Sequence, residues 1–283
     1  MNYMEQDYYI KNNFSKYIEV WGQDRANFLQ GLITNDIYKC NDTKTSIYSC
    51  FLSPQGKFLA DFFIVKFDNH YLIEIHEKYF DSFYSKLRIY KLRSKVEFKE
   101  NADLLSLIIF SKHIPLFNKN TIFYNDPRKN NLGIKAYMDK KSNDLKLITK
   151  LKEYEFETYK QILMKNLVPN STTDLIENKS LLLENNFQNI NAIDWNKGCY
   201  IGQEITARMK YRSLLKKKIY VLELLSGKIS PGDEIIQGGI NIGSVISKTE
   251  QYVLGMLKIN LVENKSFSKE QIKINSNTLL KFL

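Results

Sequence analysis

Eight consecutive residues, Lys197-Gly198-Cys199-Tyr200-Ile201-Gly202-Gln203-Glu204, gather an amine, a thiol, a phenol, an amide and a carboxylate around two glycines. Glycine lets the backbone turn sharply or approach a ligand closely. The spacing of Ile201, Ile205 and Met209 predicts a helix from Ile201 to Tyr211, with Glu204 and Arg208 able to pair at i, i+4. Cys199 and Tyr200 would then stand just ahead of a helix N-terminus. Unpaired N–H groups there favour anions and ease the ionisation of a thiol. Cys199 is therefore the candidate for chemistry; the competing reading is a small buried hydrophobe, the usual fate of a free cysteine. Asp61 is a second candidate. It interrupts the strand-like run Phe58–Phe67 on the face that carries Leu59 and Phe63, where a carboxylate is costly unless paired or used. Its alternative is an edge strand with Asp61 turned to solvent.

Other chemistries find no support. No GxGxxG follows a strand, and no Walker loop, HExxH or GxSxG occurs. His76 and His113 have no second ligand at metal spacing, so no metal site is expected. No histidine lies near Cys199 in sequence to serve as its base. Kinase, dehydrogenase, hydrolase and zinc-enzyme readings all drop.

These residues need a scaffold, and 283 residues exceed what one core usually holds, so two or three units are expected. Tyr17–Trp21 reads as a strand, followed by a helix that Asp24 can cap and that carries Phe28, Leu29 and Leu32 inward. Thr34-Asn35-Asp36 suits a turn. Ser46–Leu52 and Phe58–Phe67 flank Ser53-Pro54-Gln55-Gly56 and read as a hairpin. His70–Ile75 predicts a strand, and Lys78–Tyr90 a helix with a basic end. Leu104–Phe110, Thr121–Tyr124, Leu132–Met138 and Leu145–Thr149 follow as strands. A helix from Lys152 to Asn166, closed by Pro169, leads into a polar loop, Asn170–Asn178. After Lys216-Lys217-Lys218 come short strands, Ile219–Leu225, Glu234–Gln237, Ile240–Ser247, Tyr252–Leu261, Gln271–Ile274 and Leu279–Leu283. Gly and Pro-Gly turns punctuate them, which predicts a small antiparallel barrel beginning near Ser213.

The net charge of +10 favours anionic ligands, although lysines on a solvated surface account for it as well. No arginine-rich run or aromatic-spaced basic stripe points to nucleic acid. Cys40, Cys50 and Cys199 form no CxxC, so a reducing compartment is expected rather than a disulfide framework. Met1–Ile10 lacks an apolar signal core, and no run reaches membrane-spanning length. The expected location is the bacterial cytoplasm, or the mitochondrial matrix for a eukaryotic chain, with no presequence seen.

The eight-residue stretch resembles KGCYxGQE, the signature of the folate-binding YgfZ family, relatives of the glycine-cleavage T-protein that include mitochondrial iron–sulfur assembly factors. Seven specified residues, each near one in twenty by usage, give chance odds on the order of 10⁻⁹ per window. Further stretches agree. Val20–Asp36, with Gly22, Asp24, Phe28-Leu29-Gln30-Gly31 and Thr34-Asn35-Asp36, resembles the family's opening strand and helix. Gly56-Lys57-Phe58-Leu59-Ala60-Asp61 resembles its G-[KR]-x-x-x-D hairpin, and Tyr90–Val96 its Y-x-x-R-S-K-V helix end. Glu184 falls where the family has the glutamate of P-H-E-x-x-L.

The resemblance implies an α+β, T-protein (aminomethyltransferase)-like fold. Residues 1–212 would form two intertwined α+β subdomains around a central channel, and 213–283 a C-terminal antiparallel β-barrel. It implies tetrahydrofolate as cofactor and a role in assembly or repair of iron–sulfur proteins, particularly [4Fe–4S] ones, with assembly proteins or client enzymes as partners. Whether such a protein is an enzyme stays open. The alternatives are a tetrahydrofolate-dependent aminomethyltransferase and, behind it, a folate-dependent tRNA-modification factor. The residues carried over are Cys199 and Asp61 for chemistry, with Lys197, Tyr200, Gln203, Glu204, Glu184 and Arg208 for binding. In this role Lys197 would meet the folate carboxylates, and Glu204 would orient Arg208 or Lys197. The sequence departs from the pattern at Leu163, Leu167 and Asn170, which replace an arginine, a glycine and a glutamate. Lys165 stands where T-proteins carry a pterin-clamping glutamate, which removes a bidentate acceptor.

Overall fold

The computed structural model describes residues 6–42, 45–212, 214–263, 272–275 and 278–283. The boundary expected near Ser213, the start of the strand expected at Gln271 and Met1–Glu5 of the N-terminal stretch lie outside the described residues. Two units emerge: Met1–Ser53, Leu59–Thr158 and Ile190–Ile201 form the first, and Pro54–Phe58, Tyr159–Asn189 and Gly202–Leu283 the second.

The first unit contains β1 (Tyr8–Asn12), β2 (Ser15–Trp21), α1 (Arg25–Gln30), β3 (Ser46–Leu52), nearly all of β4 (Phe58–Phe67), β5 (His70–His76), α2 (Glu77–Lys91) and β6 (Glu97–Glu100). It continues with β7 (Leu104–Phe110), β8 (Ile122–Asn125), β9 (Ile134–Asp139), α3 (Leu145–Ile148) and β10 (Lys152–Tyr154). Two five-stranded sheets result, ordered β3-β4-β5-β2-β6 and β10-β1-β7-β9-β8. Alternation along β7 divides its side chains between two environments. Leu107 and Ile109 join Ile134, Ala136 and Met138 of β9 in an apolar layer that Ile148 of α3 helps to close.

Here Leu145–Ile148 forms a helix instead of the expected strand. A short apolar run carries no periodicity that separates the two, and the open sheet face decides it. Between the sheets the contacts are polar and aromatic. Tyr17 of β2 meets Tyr137 of β9 edge to face, and Glu74 of β5 pairs with Lys135 of β9 at 2.5 Å. Both partners of that ion pair are buried.

Two further expectations shift in this unit. Asp24 does not cap α1 with its side chain; its carboxylate accepts the Lys95 N–H at 2.7 Å and fastens the segment before β6. Gly22 makes that approach possible: at φ 105°, a Cβ there would lie 2.1 Å from the Lys95 carbonyl oxygen. The expected helix from Lys152 instead begins at Phe156, because Lys152–Tyr154 pair in parallel with Tyr8–Ile10 of β1.

The helix α4 (Phe156–Lys165) runs into the second unit, which also holds α5 (Ser171–Asp174) within the expected polar loop, and α6 (Gln203–Tyr211). Next come β11 (Lys217–Ser226), β12 (Glu234–Gln237), β13 (Ile240–Lys248), β14 (Tyr252–Lys258), α7 (Ile259–Val262), β15 (Ile272–Asn275) and β16 (Thr278–Phe282). Strand β14 therefore stops at Lys258, and a helical turn takes the rest of the stretch expected to run on to Leu261. The six strands form one antiparallel sheet, ordered β12-β13-β14-β11-β16-β15, curled into a half-barrel. Its concave side packs Leu222, Ile235, Val245, Val253, Leu257 and Leu280. Ile219 and Val221, on the opposite face of β11, pack with Leu254 against Met164 of α4. The two faces are thus both apolar, as a sheet with a helix on its back requires.

Candidate functional site

The signature stretch divides at the unit boundary, with Lys197–Ile201 in the first unit and Gly202–Glu204 in the second. Gly202 sits in the left-handed region, φ 80°, and caps α6, so the helix begins at Gln203 rather than Ile201. Within the first unit the exposure alternates sharply. Lys197 and Tyr200 are buried, while Gly198 and Cys199 between them are exposed.

Lys197 explains the anchoring. Its ammonium donates to the carbonyl oxygens of Gln30, Ile33 and Asn35 at 2.8, 2.6 and 2.9 Å. An ammonium has three N–H donors, and all three are taken. The carbonyls belong to the C-terminal end of α1 and the turn after it, where helix carbonyls lack internal partners. Burial pulls the Lys197 pKa down to about 8, against the raising effect of the Asp36 and Asp194 carboxylates. At neutral pH the group is still mostly ammonium. The expectation that Lys197 meets a ligand carboxylate is corrected by this geometry, which leaves it no N–H to offer.

The socket around that ammonium is itself tied down. Thr34 Oγ1 donates to the Ala192 carbonyl at 2.6 Å, and Asn35 Nδ2 donates to the carbonyls of Tyr48 and Asn191. Thr34-Asn35-Asp36, expected only as a turn, is thus the seat on which the signature rests. The Ile201 N–H donates to the Gly31 carbonyl and closes the far side. Cys199 is held out between two fixed points. Cys40 and Cys50 are buried, and burial pushes the Cys40 thiol up to about 12 and the Cys50 thiol well above its ordinary range. Cys199 is the exposed thiol of the three. Its reading as a small buried hydrophobe is overturned.

Asp61 lies in β4, between β3 and β5, so the edge-strand alternative is excluded. Tyr48 of β3 donates its hydroxyl to Asp61 Oδ2 at 2.5 Å, and Asp61 Oδ1 is buried with no hydrogen-bond partner among the described residues. Burial and the neighbouring carboxylate drive the Tyr48 phenol well above its ordinary range. The Arg128 guanidinium lies 5.2 Å from the Tyr48 ring and is itself paired with buried Asp126. Phe63 stands between Arg128 and Lys135, 4.9 and 3.8 Å from its ring centre. Tyr48, Arg128 and Asp126 were not anticipated. One signal for Tyr48 was present, since it precedes Ser53 by as many residues as Asp61 follows Gly56, five on each side of the turn. Burial pushes the Tyr200 phenol above its ordinary range, as burial and then the Asp61 carboxylate do for the Cys50 thiol.

The remaining candidates fall in the second unit. Gln203 and Glu204 open α6, and the exposed Glu204 pairs with Arg208 one turn on, as the spacing predicts. The Glu204–Arg208 pair is one of exposed side chains, worth little to stability. Glu184 accepts the Ile219 N–H through its backbone carbonyl, while its carboxylate lies 3.7 Å from the Lys217 ammonium. Of the departures from the family pattern, Leu163 is buried in α4 and Lys165 ends that helix. Leu167 holds φ 53°, a left-handed position natural to the glycine it replaces. Asn170 caps α5 by accepting the Thr172 N–H. Among the described residues no group of three or more His, Cys, Asp or Glu could hold a metal ion.

Known proteins resemble this arrangement in sequence and in fold. The chain is 27% identical over 231 residues to the mitochondrial iron–sulfur cluster assembly factor IBA57 homologue of Mycosarcoma maydis, covering 76% of this chain and 57% of that one. It is 30% identical over 217 residues to the Pyricularia oryzae homologue, covering 71% and 54%. The mouse factor is 26% identical over 242 residues, covering 76% and 67%. The fold matches the crystal structure of aminomethyltransferase T of the glycine cleavage system from Bartonella henselae. The TM-score is 0.77 at 11% identity, covering 98% of this chain and 85% of that one. The chain is YgfZ/GcvT-like. No family model matches it. The chain spans little more than half the length of the first two of these relatives. No helix among the described residues of this YgfZ/GcvT-like chain is long and apolar enough to cross a membrane.

Proposed function

We propose that the chain is an accessory factor for the assembly or repair of iron–sulfur proteins, particularly [4Fe–4S] ones. The observation that carries this reading is the presentation of Cys199, an exposed thiol fixed between buried Lys197 and buried Tyr200. A thiolate is a soft ligand suited to iron–sulfur clusters. An exposed thiol suits transient contact with a cluster as cargo, or with a partner that carries one. The relatives named as iron–sulfur cluster assembly factors support the same reading. A Cys199→Ser variant should fold with unchanged thermal stability yet fail to restore [4Fe–4S] enzyme activity in a strain lacking the protein. Full restoration would remove Cys199 from the function.

Tetrahydrofolate is the ligand we propose for the first unit, and the residues fit it at one point. The orphaned Oδ1 of Asp61 is a buried acceptor that lacks a donor, and a folate ring N–H would supply one. Tyr48 would hold the carboxylate in place by its bond to Oδ2. Bound folate would contribute its one-carbon chemistry. Calorimetric titration with tetrahydrofolate should show at least a tenfold loss of affinity for Asp61→Asn. Equal affinity in the two proteins would discard the folate assignment.

A further inference from the structure

The helix α2 of the first unit buries Tyr79, Phe80, Phe83 and Leu87, and its other side takes no part in the reading above. There Ile89 and Leu92, three positions apart, are 66% and 86% exposed. Two open depressions adjoin them. One, of about 440 Å³, is lined by Asp81, Tyr84, Ser85, Arg88 and Ile89, and the other, of about 740 Å³, by Asp24, Leu92, Arg93 and Ser94. A single exposed apolar residue is ordinary on a protein surface. Leu92 differs from that case in its backbone.

The Ser94 N–H donates to the Lys91 carbonyl at 2.8 Å and closes a tight turn. In it Leu92 takes φ 44° and ψ −113°, close to the first central position of a type II′ turn. Glycine dominates that position, because a Cβ strains the backbone at positive φ. A leucine that strains its own turn and then stays in water adds nothing to the fold. Strained residues of this kind cluster at binding sites, where contacts made on binding offset the strain. Charge is the second feature. Between Asp81 and Lys95 the chain carries five basic residues, Lys86, Arg88, Lys91, Arg93 and Lys95, against the single acid Asp81. None of the five forms an ion pair among the described residues. The helix dipole accounts for Arg88 and Lys91 in the last turn, but not for Arg93 and Lys95 beyond it. Asp24, the other carboxylate on this surface, holds the Lys95 N–H.

We propose that this surface docks an acidic segment of a partner protein, with aspartate or glutamate on either side of a large apolar residue. The apolar residue packs on Ile89 and Leu92, and the carboxylates face Arg88, Lys91 and Arg93. From Asp81 to Leu92 the helix side runs about 16 Å at 1.5 Å per residue, the reach of about five extended residues. A protein segment fits this surface better than a nucleic acid or a lipid headgroup layer. Asp81 at one end repels phosphate and, with Ser85, offers hydrogen bonds to a peptide. Tyr84 and Tyr90 are half-buried, and Tyr84 donates its hydroxyl to the Phe98 carbonyl, so neither ring stands free to stack a base. Attraction between exposed charges is screened by salt, so affinity falls as ionic strength rises.

The test pans a phage-displayed library of random dodecapeptides on the full chain and measures the most enriched peptide by fluorescence anisotropy. Enriched peptides should combine acids with leucine, isoleucine, valine, methionine or phenylalanine. The best of them should bind with a dissociation constant below about 100 μM. Leu92→Gly should weaken it about tenfold or more. The same variant should keep its thermal midpoint within about 2 °C of the wild type or above it, because relief of the turn offsets the added chain entropy of glycine. The Arg88→Glu, Arg93→Glu double variant should also weaken the peptide about tenfold or more, with unchanged circular dichroism. Lys228→Glu, an exposed reversal in the second unit, should bind as the wild type does, and so should Cys199→Ser. No enrichment, enrichment of peptides without acids, or undiminished binding by either folded surface variant overturns the proposal. So does a larger fall in midpoint for Leu92→Gly, which would show that the leucine packs in the fold. The two surface variants act by different means, so the second decides if the first fails to fold. Phosphatidylcholine vesicles containing phosphatidylserine, and a single-stranded oligonucleotide, are the rival probes. Binding of either one that both variants lose, without peptide binding, overturns the proposal and reassigns the surface to that class. None of these outcomes depends on Cys199 or Asp61, so this proposal and the assembly-factor reading fail separately.

Discussion

Lys197→Met should destabilise the protein by about 3–5 kcal/mol, because it strands three carbonyl acceptors at about 1–3 kcal/mol each where they are buried. Methionine keeps most of the side-chain volume but removes every donor. The carbonyls of Gln30, Ile33 and Asn35 would then lose their shared ammonium in a largely buried place. An abandoned buried acceptor costs about 1–3 kcal/mol, and partial access to water at Gln30 lowers the sum. Lys197→Arg should recover little, because a planar fork cannot aim three bonds as a tripod of N–H groups does. Urea unfolding of the three proteins measures this. A loss below about 1 kcal/mol for Lys197→Met would show that the three bonds do not hold the signature. The prediction also separates two kinds of inactive variant. Lys197→Met should lose function together with stability, whereas Cys199→Ser should lose function alone.

The second large effect concerns Glu74 and Lys135, which lie between the two sheets of the first unit at 3% and 2% exposure. Lys135→Met should cost about 3–5 kcal/mol, because it leaves a buried carboxylate without its counter-charge. The Glu74→Leu, Lys135→Met double variant should cost clearly less than Lys135→Met alone, since it removes the stranded charge. The hydroxyls of Ser15 and Tyr137 also donate to Glu74, at 2.6 and 2.7 Å, and would lose an acceptor in the double variant. Some residual loss is therefore expected.

The pair also sets an acid limit on stability. Burial raises the Glu74 pKa, but the Lys135 charge and the bonds from Lys135, Ser15 and Tyr137 outweigh it and hold the carboxyl below its ordinary 4.5. A lowered folded-state pKa means that the unfolded chain takes up the proton first as pH falls. Glu74 thus contributes fully above pH 4.5, and its contribution is lost as pH falls through the folded-state value. Unfolding free energy measured from pH 7 downward should fall less steeply in the double variant than in the wild type. Parallel curves would mean that another carboxylate sets the limit.

Much of the scaffold was legible because period and turn chemistry are local. The β3–β4 hairpin stands on Ser53-Pro54-Gln55-Gly56, and glycines mark the β11–β12 and β12–β13 connections of the half-barrel. Elements chosen by a neighbour were not legible in the same way. Leu145–Ile148 is helical because a sheet face needed a cover, and Lys152–Tyr154 is extended because β1 offered an open edge. Those short segments carry too few residues for periodicity to outweigh a tertiary contact.

The sequence by itself determined that Lys197–Glu204 is the chemically exceptional stretch, that Asp61 follows a hairpin turn, and that Glu204 pairs with Arg208. Only the tertiary structure decided what Lys197 does and which thiol is presented. Side-chain types can be read from a sequence, but the partners of Lys197 are backbone carbonyls, which every residue carries and no residue type announces. The exposure of Cys199 follows from that same clamp. The two residues stand one glycine apart: one ammonium is buried on three carbonyls, and the thiol beside it is left facing outward.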